Sequence, residues 1–244
     1  MTVRRLRWLW WLIGIVVVLG VLVVVADVAV RAYAQGRAAD EIEKQLPENV
    51  QGDVDVSIGG FSMLSQLISG SFDQVTLDAP ALTVDGIPLS AHVVAEGVPT
   101  DLAKPVGDIR AAVTLDQQAV DSVITLPGDA TLTLGEGDVS YQGTLSILGL
   151  TLGYTATGDV SASGTDVVIQ PTDAALTQGS NALDLGGALS GLVKDPVTVC
   201  VAEYLPQGAQ IESLVVHPDE VTATLTASDF VLSEDSLRTF GTCG

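Results

Sequence analysis

Trp8 to Ala26 is a run of 19 residues without a charge, preceded by the basic stretch Met1-Thr-Val-Arg-Arg-Leu-Arg7. As a helix rising about 1.5 Å per residue, the run is about 29 Å long, close to the thickness of a hydrocarbon core. Arginines ahead of such a run stay cytoplasmic, so the chain that follows is expected outside the membrane. Trp8, Trp10 and Trp11, the three tryptophans of the chain, fall where indoles lie at an inner interface. The run exceeds the roughly 7–15-residue apolar core of a cleaved signal, which favours an uncleaved anchor. Val24-Val25-Ala26 is a poor cleavage site, and the better small-x-small match, Ala32-Tyr33-Ala34, lies too far beyond the run. Retention predicts a single-pass cell-membrane protein with its C-terminal part in the envelope; cleavage predicts a secreted one. The expected division is an anchor over 1–26 and an extracytoplasmic domain over 27–244, long enough for one well-cored domain.

Charge is unevenly placed. Six of the ten basic residues lie in the first 44 positions, whereas 26 acidic residues face four basic ones from position 45 onward. An anionic domain repels nucleic acid and discourages general adhesion to an anionic membrane. With 47% hydrophobic residues and scattered charges, the composition is that of a folded domain. Cys200 and Cys243 are the two cysteines. An even pair in an exported chain suggests a disulfide, with two buried thiols as the alternative. Closing a loop of 43 residues is worth about 4 kcal/mol in the chain-entropy picture.

Apolar periodicity predicts an α+β domain, mostly antiparallel β. Val30, Ala34, Ala38, Ile42 and Leu46 recur every four residues and predict a helix over Asp27–Leu46, ended by Pro47. Asp53–Ile58 alternates as a strand, and Gly59-Gly60 breaks it. Phe61, Leu64, Leu67 and Ile68 have helical spacing closed by Gly70. Strands are expected at Phe72–Leu77, Leu82–Val84, Leu89–Glu96 and Ile109–Leu115, with Pro and Asp-Gly turns between. Asp116 caps a short helix over Asp116–Ile124 carrying Val120 on its apolar side. From Asp129 to Gln170 apolar residues alternate with Ser and Thr, which predicts an antiparallel meander with one apolar and one hydroxyl-rich face. A turn and short helix are expected over Leu183–Lys194, and a last hairpin over Gln210–Val216 and Val221–Ala227.

Catalytic signatures are missing. The sequence holds no Gly-x-Ser-x-Gly elbow, no phosphate-binding Gly-rich loop, no dinucleotide fingerprint and no His-Glu-x-x-His. His92 and His217 fall in separate strand or turn contexts, and Asp53-x-Asp55 has no third ligand nearby. The expectation is a protein that is not an enzyme and needs no cofactor and no metal. The apolar sheet face and short amphipathic helices leave two readings open: a pocket that takes acyl chains out of water, or a dry core.

Several segments carry a family resemblance. Ala32-Tyr-Ala-Gln-Gly-Arg-Ala-Ala39 follows the apolar run, and Gly60-Phe-Ser-Met-Leu-Ser-Gln-Leu67 precedes Gly70 and a strand. Leu89–Val98 closes on Glu-Gly-Val, and Cys200-Val-Ala-Glu-Tyr-Leu-Pro-Gln-Gly208 leads to a terminal Gly241-Thr-Cys243. In this order the chain resembles the LmeA-like family of phospholipid-binding actinobacterial envelope proteins. The resemblance implies a tubular fold of the bactericidal/permeability-increasing type, with a curved sheet wrapped around a long N-terminal helix beside an apolar groove. It also implies a role in envelope glycolipid metabolism of the lipomannan type, with an envelope glycosyltransferase as candidate partner. Ser62 and Met63 stand where the family box has Pro and Phe, which is expected to loosen the turn and remove an aromatic.

The leading expectation is a membrane-tethered protein that shelters the acyl chains of a phospholipid or glycolipid. The candidate lipid contacts are Phe61, Met63, Leu64, Leu67 and Ile68, with Leu145, Ile147, Leu150 and Leu152 on the meander. The competing expectation is a non-catalytic scaffold for an envelope enzyme, which predicts a solid core.

Overall fold

The structure is a computed structural model. It describes residues 3–46, 49–123, 130–147, 150–178, 181–184 and 195–243. One helix, α1 (Val3–Gln45), runs unbroken through the apolar run and the amphipathic stretch behind it. Between Val16 and Val25 its valines and leucines are 56–63% exposed, so no part of the domain covers them. The helix is long and apolar enough to cross a membrane, as both a signal anchor and a signal peptide are. Its far end is different. Ala38, Ala39 and Ile42 pack on the buried Val54, Val56 and Ala79 of the first sheet.

The strands, in chain order, are β1 (Val50–Gln51), β2 (Asp55–Ile58), β3 (Ser71–Val84), β4 (Ile87–Pro99) and β5 (Pro105–Asp116). They continue with β6 (Thr131–Leu134), β7 (Asp138–Ile147), β8 (Leu150–Ser163), β9 (Asp166–Gln178) and β10 (Asn181–Asp184). The last three are β11 (Val197–Cys200), β12 (Gln210–His217) and β13 (Glu220–Val231). Short helices α2 (Met63–Ser69), α3 (Gln117–Val123) and α4 (Glu234–Arg238) fill the connections.

Two sheets result. The first has the order β1-β3-β4-β5-β13-β12, with β2 also on β3; the second has the order β10-β9-β8-β7-β6, with β11 also on β9. Every pair in both is antiparallel. The sheets meet along β12. The Ile211 N–H donates to the Gly164 carbonyl at 2.7 Å, and the Gly137 N–H to the Val216 carbonyl at 2.9 Å.

Local chemistry explains where the expected strands gain or lose residues. Pro80 was expected to separate two strands, but β3 passes through it. The register against β4 slips between Ala79 and Leu82, so the proline, which has no N–H to give, falls in a bulge. The two-residue turn Asp85-Gly86 has φ of 53° and 84°, the left-handed pair that suits a tight hairpin. Asp116 does cap α3, accepting the Ala119 N–H at 2.7 Å. The turn and helix expected over Leu183–Lys194 need correction at their start: Leu183 and Asp184 pair with Leu176 and Ala175 and end β10. The remainder, 185–194, lies outside the described residues.

Candidate functional site

Alternation along β6 to β9 puts one apolar residue in two on a common face. Leu132, Leu134, Val139, Tyr141, Val160 and Ile169 form that face, and it does not close on itself. Leu115, Leu214, Val216 and Val221 of the first sheet stand opposite, and Val120 of α3 joins them. Where the side chains touch, they make a core cluster around the buried Val120, Leu134 and Val216. Where they do not, a cavity of about 770 Å³ remains. That volume lies in the roughly 300–1,000 Å³ range of small-molecule sites.

Gly158 belongs to the same wall, at a register slip between Thr157 and Gly158. A Cβ there would come within 2.9 Å of Ile169 Cγ2 and 3.1 Å of the Gln170 carbonyl, so this position needs glycine for close approach. The few hydroxyls near the wall are already partnered. Thr157 shares a hydrogen bond with Ser140 at 3.1 Å. Tyr141 lies against Tyr154 with ring centroids 5.6 Å apart, and the hydrogen bond between their hydroxyls pushes the Tyr154 phenol up. Among the described residues, no buried side-chain nitrogen or oxygen lacks a partner.

The cavity therefore offers hydrocarbon contact and little else. Each CH₂ moved into it from water gains about 0.8 kcal/mol, so a chain of about 16 carbons gains about 12 kcal/mol before ordering costs. A charged headgroup would find no counter-charge on these walls and would stay at the rim. The cavity reaches the surface at β11, because Val197 both lines it and is 53% exposed. Cys200 ends β11 and is disulfide-bonded to Cys243, with Cα atoms 5.9 Å apart. The expected staple thus ties the C-terminus to the rim strand.

The second apolar feature is α2. Ser62 caps it, accepting the Ser65 N–H at 3.3 Å, and Gly70 ends it in the left-handed conformation. Asp27 of α1 reaches the same end of the helix, where its Oδ1 accepts the Ser62 hydroxyl at 2.8 Å and the Leu64 N–H at 2.9 Å. The bonds from Leu64 and Ser62 hold the Asp27 carboxyl below the usual carboxylate range. Arg31 stands 3.7 Å from Asp27 and donates to the Gly60 carbonyl at 2.9 Å. Gln66, 3% exposed, closes the other side. Its amide nitrogen donates to the Gly59 and Ser62 carbonyls, and its oxygen accepts the Asp73 N–H at 2.7 Å. At the two positions where the family box has Pro and Phe, Ser62 caps the helix, and Met63, 1% exposed, anchors it in the core.

The nine candidate contacts separate into two groups. Phe61, Met63, Leu64, Leu67 and Ile68 gather on and before α2 and do not line the cavity. Leu145 and Ile147 lie on β7 and pair with Leu152 and Leu150 of β8; their side chains fall outside the described residues. The cavity residues of β6 to β9 were legible as an apolar face. The opposite wall, Leu115, Leu214, Val216 and Val221, and the rim residues Val197 and Val201 were not singled out. Their strands alternate too, but alternation does not say which sheet will face them.

Comparison with curated proteins and with solved structures returned no match. A family model described as LmeA-like phospholipid-binding matches residues 25–226. The match begins at the end of the apolar run, takes in α2, both walls of the cavity and β11, and spans most of the chain: the protein belongs to the LmeA-like phospholipid-binding family.

Proposed function

We propose that this protein is a membrane-tethered, extracytoplasmic lipid carrier that shelters phospholipid or glycolipid acyl chains in the cavity between its two sheets. The observation that carries this reading is the cavity itself: about 770 Å³, walled by aliphatic residues and open beside Val197. A scaffold would be expected to fill that space, because dry voids in a core cost stability. In this reading residues 1–26 anchor the chain and 27–244 form the lipid-binding domain, its first sheet curving about the outer part of α1 in the tubular manner. The candidate contacts Leu145, Ile147, Leu150 and Leu152 belong to the same β7–β8 hairpin as Val139 and Tyr141, whose place in the cavity lining supports a lipid site on this hairpin. The family supports phospholipid as the ligand class. Delivery of a lipid-borne substrate to an envelope glycosyltransferase follows as the physiological use.

Ala156→Trp tests the reading, because Ala156 is a small residue on the cavity wall. The indole should occupy the space an acyl chain needs. Lipid mass spectrometry on the full chain purified in detergent should find phospholipid or glycolipid with the parent protein and at least tenfold less with the variant, about 1.4 kcal/mol in affinity. Equal lipid in both would overturn the proposal.

A further inference from the structure

The exposed face of α2 has no role in the cavity, and it is built unlike the rest of the domain surface. Phe61 is 99% exposed, Ile68 89% and Leu67 45%, while Met63 and Gln66 on the other face are buried. No charge occurs from Val56 to Phe72, in a domain that carries 26 acidic residues from position 45 onward. Two large apolar side chains left almost wholly in water, on a helix fixed by a fully partnered Gln66, need a partner surface.

Position identifies that surface. Asp27 is the first charged residue after the apolar run, so an α1 that spans a bilayer puts Asp27 at the outer edge of the hydrocarbon. Bonds of 2.8 and 2.9 Å join its carboxylate to Ser62 and Leu64, and Arg31 holds Gly60 from the next turn of α1. The start of α2 is therefore held at the level where α1 leaves the membrane. Its freedom from charge removes the repulsion that the rest of the domain would feel from anionic lipid.

We propose that Phe61, Leu67 and Ile68 form a membrane-contact foot that inserts into the outer-leaflet interface beside α1 and fixes the tilt of the domain on the bilayer. This rests on the tethered reading above. Together α1 and α2 give two points of attachment, the second one apolar and shallow, as for interfacial helices. Because insertion depends on apolar contact and not on Lys or Arg, it is insensitive to salt.

The test uses the full chain in nanodiscs of phosphatidylcholine and phosphatidylglycerol. Phe61→Cys and Ile68→Cys, and Glu136→Cys as a control on the β6–β7 turn, each carry an environment-sensitive fluorophore; among the described residues no other cysteine is free. The foot predicts blue-shifted emission at 61 and 68, quenching by lipid-borne spin labels, and no change between low and high salt. The control should report water throughout. Two labelled positions keep the test valid if one variant folds poorly. Carbonate extraction of membranes separates the failures. Release of the chain sinks the tethered reading, whereas a retained chain with water-exposed labels at both positions sinks the foot alone. Labels shielded from water but unreached by the lipid quenchers would assign the face to a protein partner and would also overturn it.

Discussion

Gln66 shows how a polar residue can hold a local fold together from inside. It lies in the middle of a short amphipathic helix, where a glutamine normally faces water, and the sequence contains no sign that it is buried. The reason appears only in three dimensions: it bridges the Gly59 turn, the α2 cap at Ser62 and the start of β3 at Asp73. Removing it leaves a backbone N–H and a backbone carbonyl without their partner, at a cost of about 1–3 kcal/mol. Gln66→Ala should lower the urea midpoint of the full chain in micelles with an unchanged slope, the shift times the slope amounting to about 1–3 kcal/mol. An unchanged midpoint would show that water replaces the side chain. Ser62 teaches the same lesson. Its departure from the family box looked like a weakness, yet its hydroxyl both caps α2 and bonds Asp27.

At the scale of elements, the strong patterns were legible. The apolar run and the stripe recurring every four residues behind it marked α1, and alternation over β6 to β9 marked the meander and its apolar face. Punctuation was less informative. Pro80 reads as a break, but a bulge lets an exposed proline stay within a strand. The disulfide was expected from the cysteine pair; its place on the rim was not, because pairing says nothing of what Val197 and Val201 line. Since β11 holds only four residues on one edge of β9, its hold on the rim depends on that bond. Cys200→Ser combined with Cys243→Ser should cost about 4 kcal/mol of stability by the chain-entropy model. The lipid recovered with the protein should fall as well. A variant as stable as the parent would mean that β11 is held by its strand pairing alone.

At the scale of the molecule, the apolar cavity forms where the two sheets meet. Hydrogen bonds from Gly137 and Ile211 join them along β12, and the walls stand apart beyond that seam. Such a juxtaposition is invisible in sequence, because each strand reports its own apolar face and not its distance from another. This is why the candidate contacts on α2, which lie outside the cavity lining, did not point to the cavity. The central claim is that an acyl chain lies between the sheets. The most direct measurement reconstitutes the full chain with a phospholipid bearing a diazirine near the end of one acyl chain, followed by irradiation and peptide mapping. The account predicts labelling on residues of both walls, such as Leu132, Tyr141 and Ile169 on one side and Leu115 and Leu214 on the other. Labelling confined to the Trp8–Ala26 segment of α1 would contradict it.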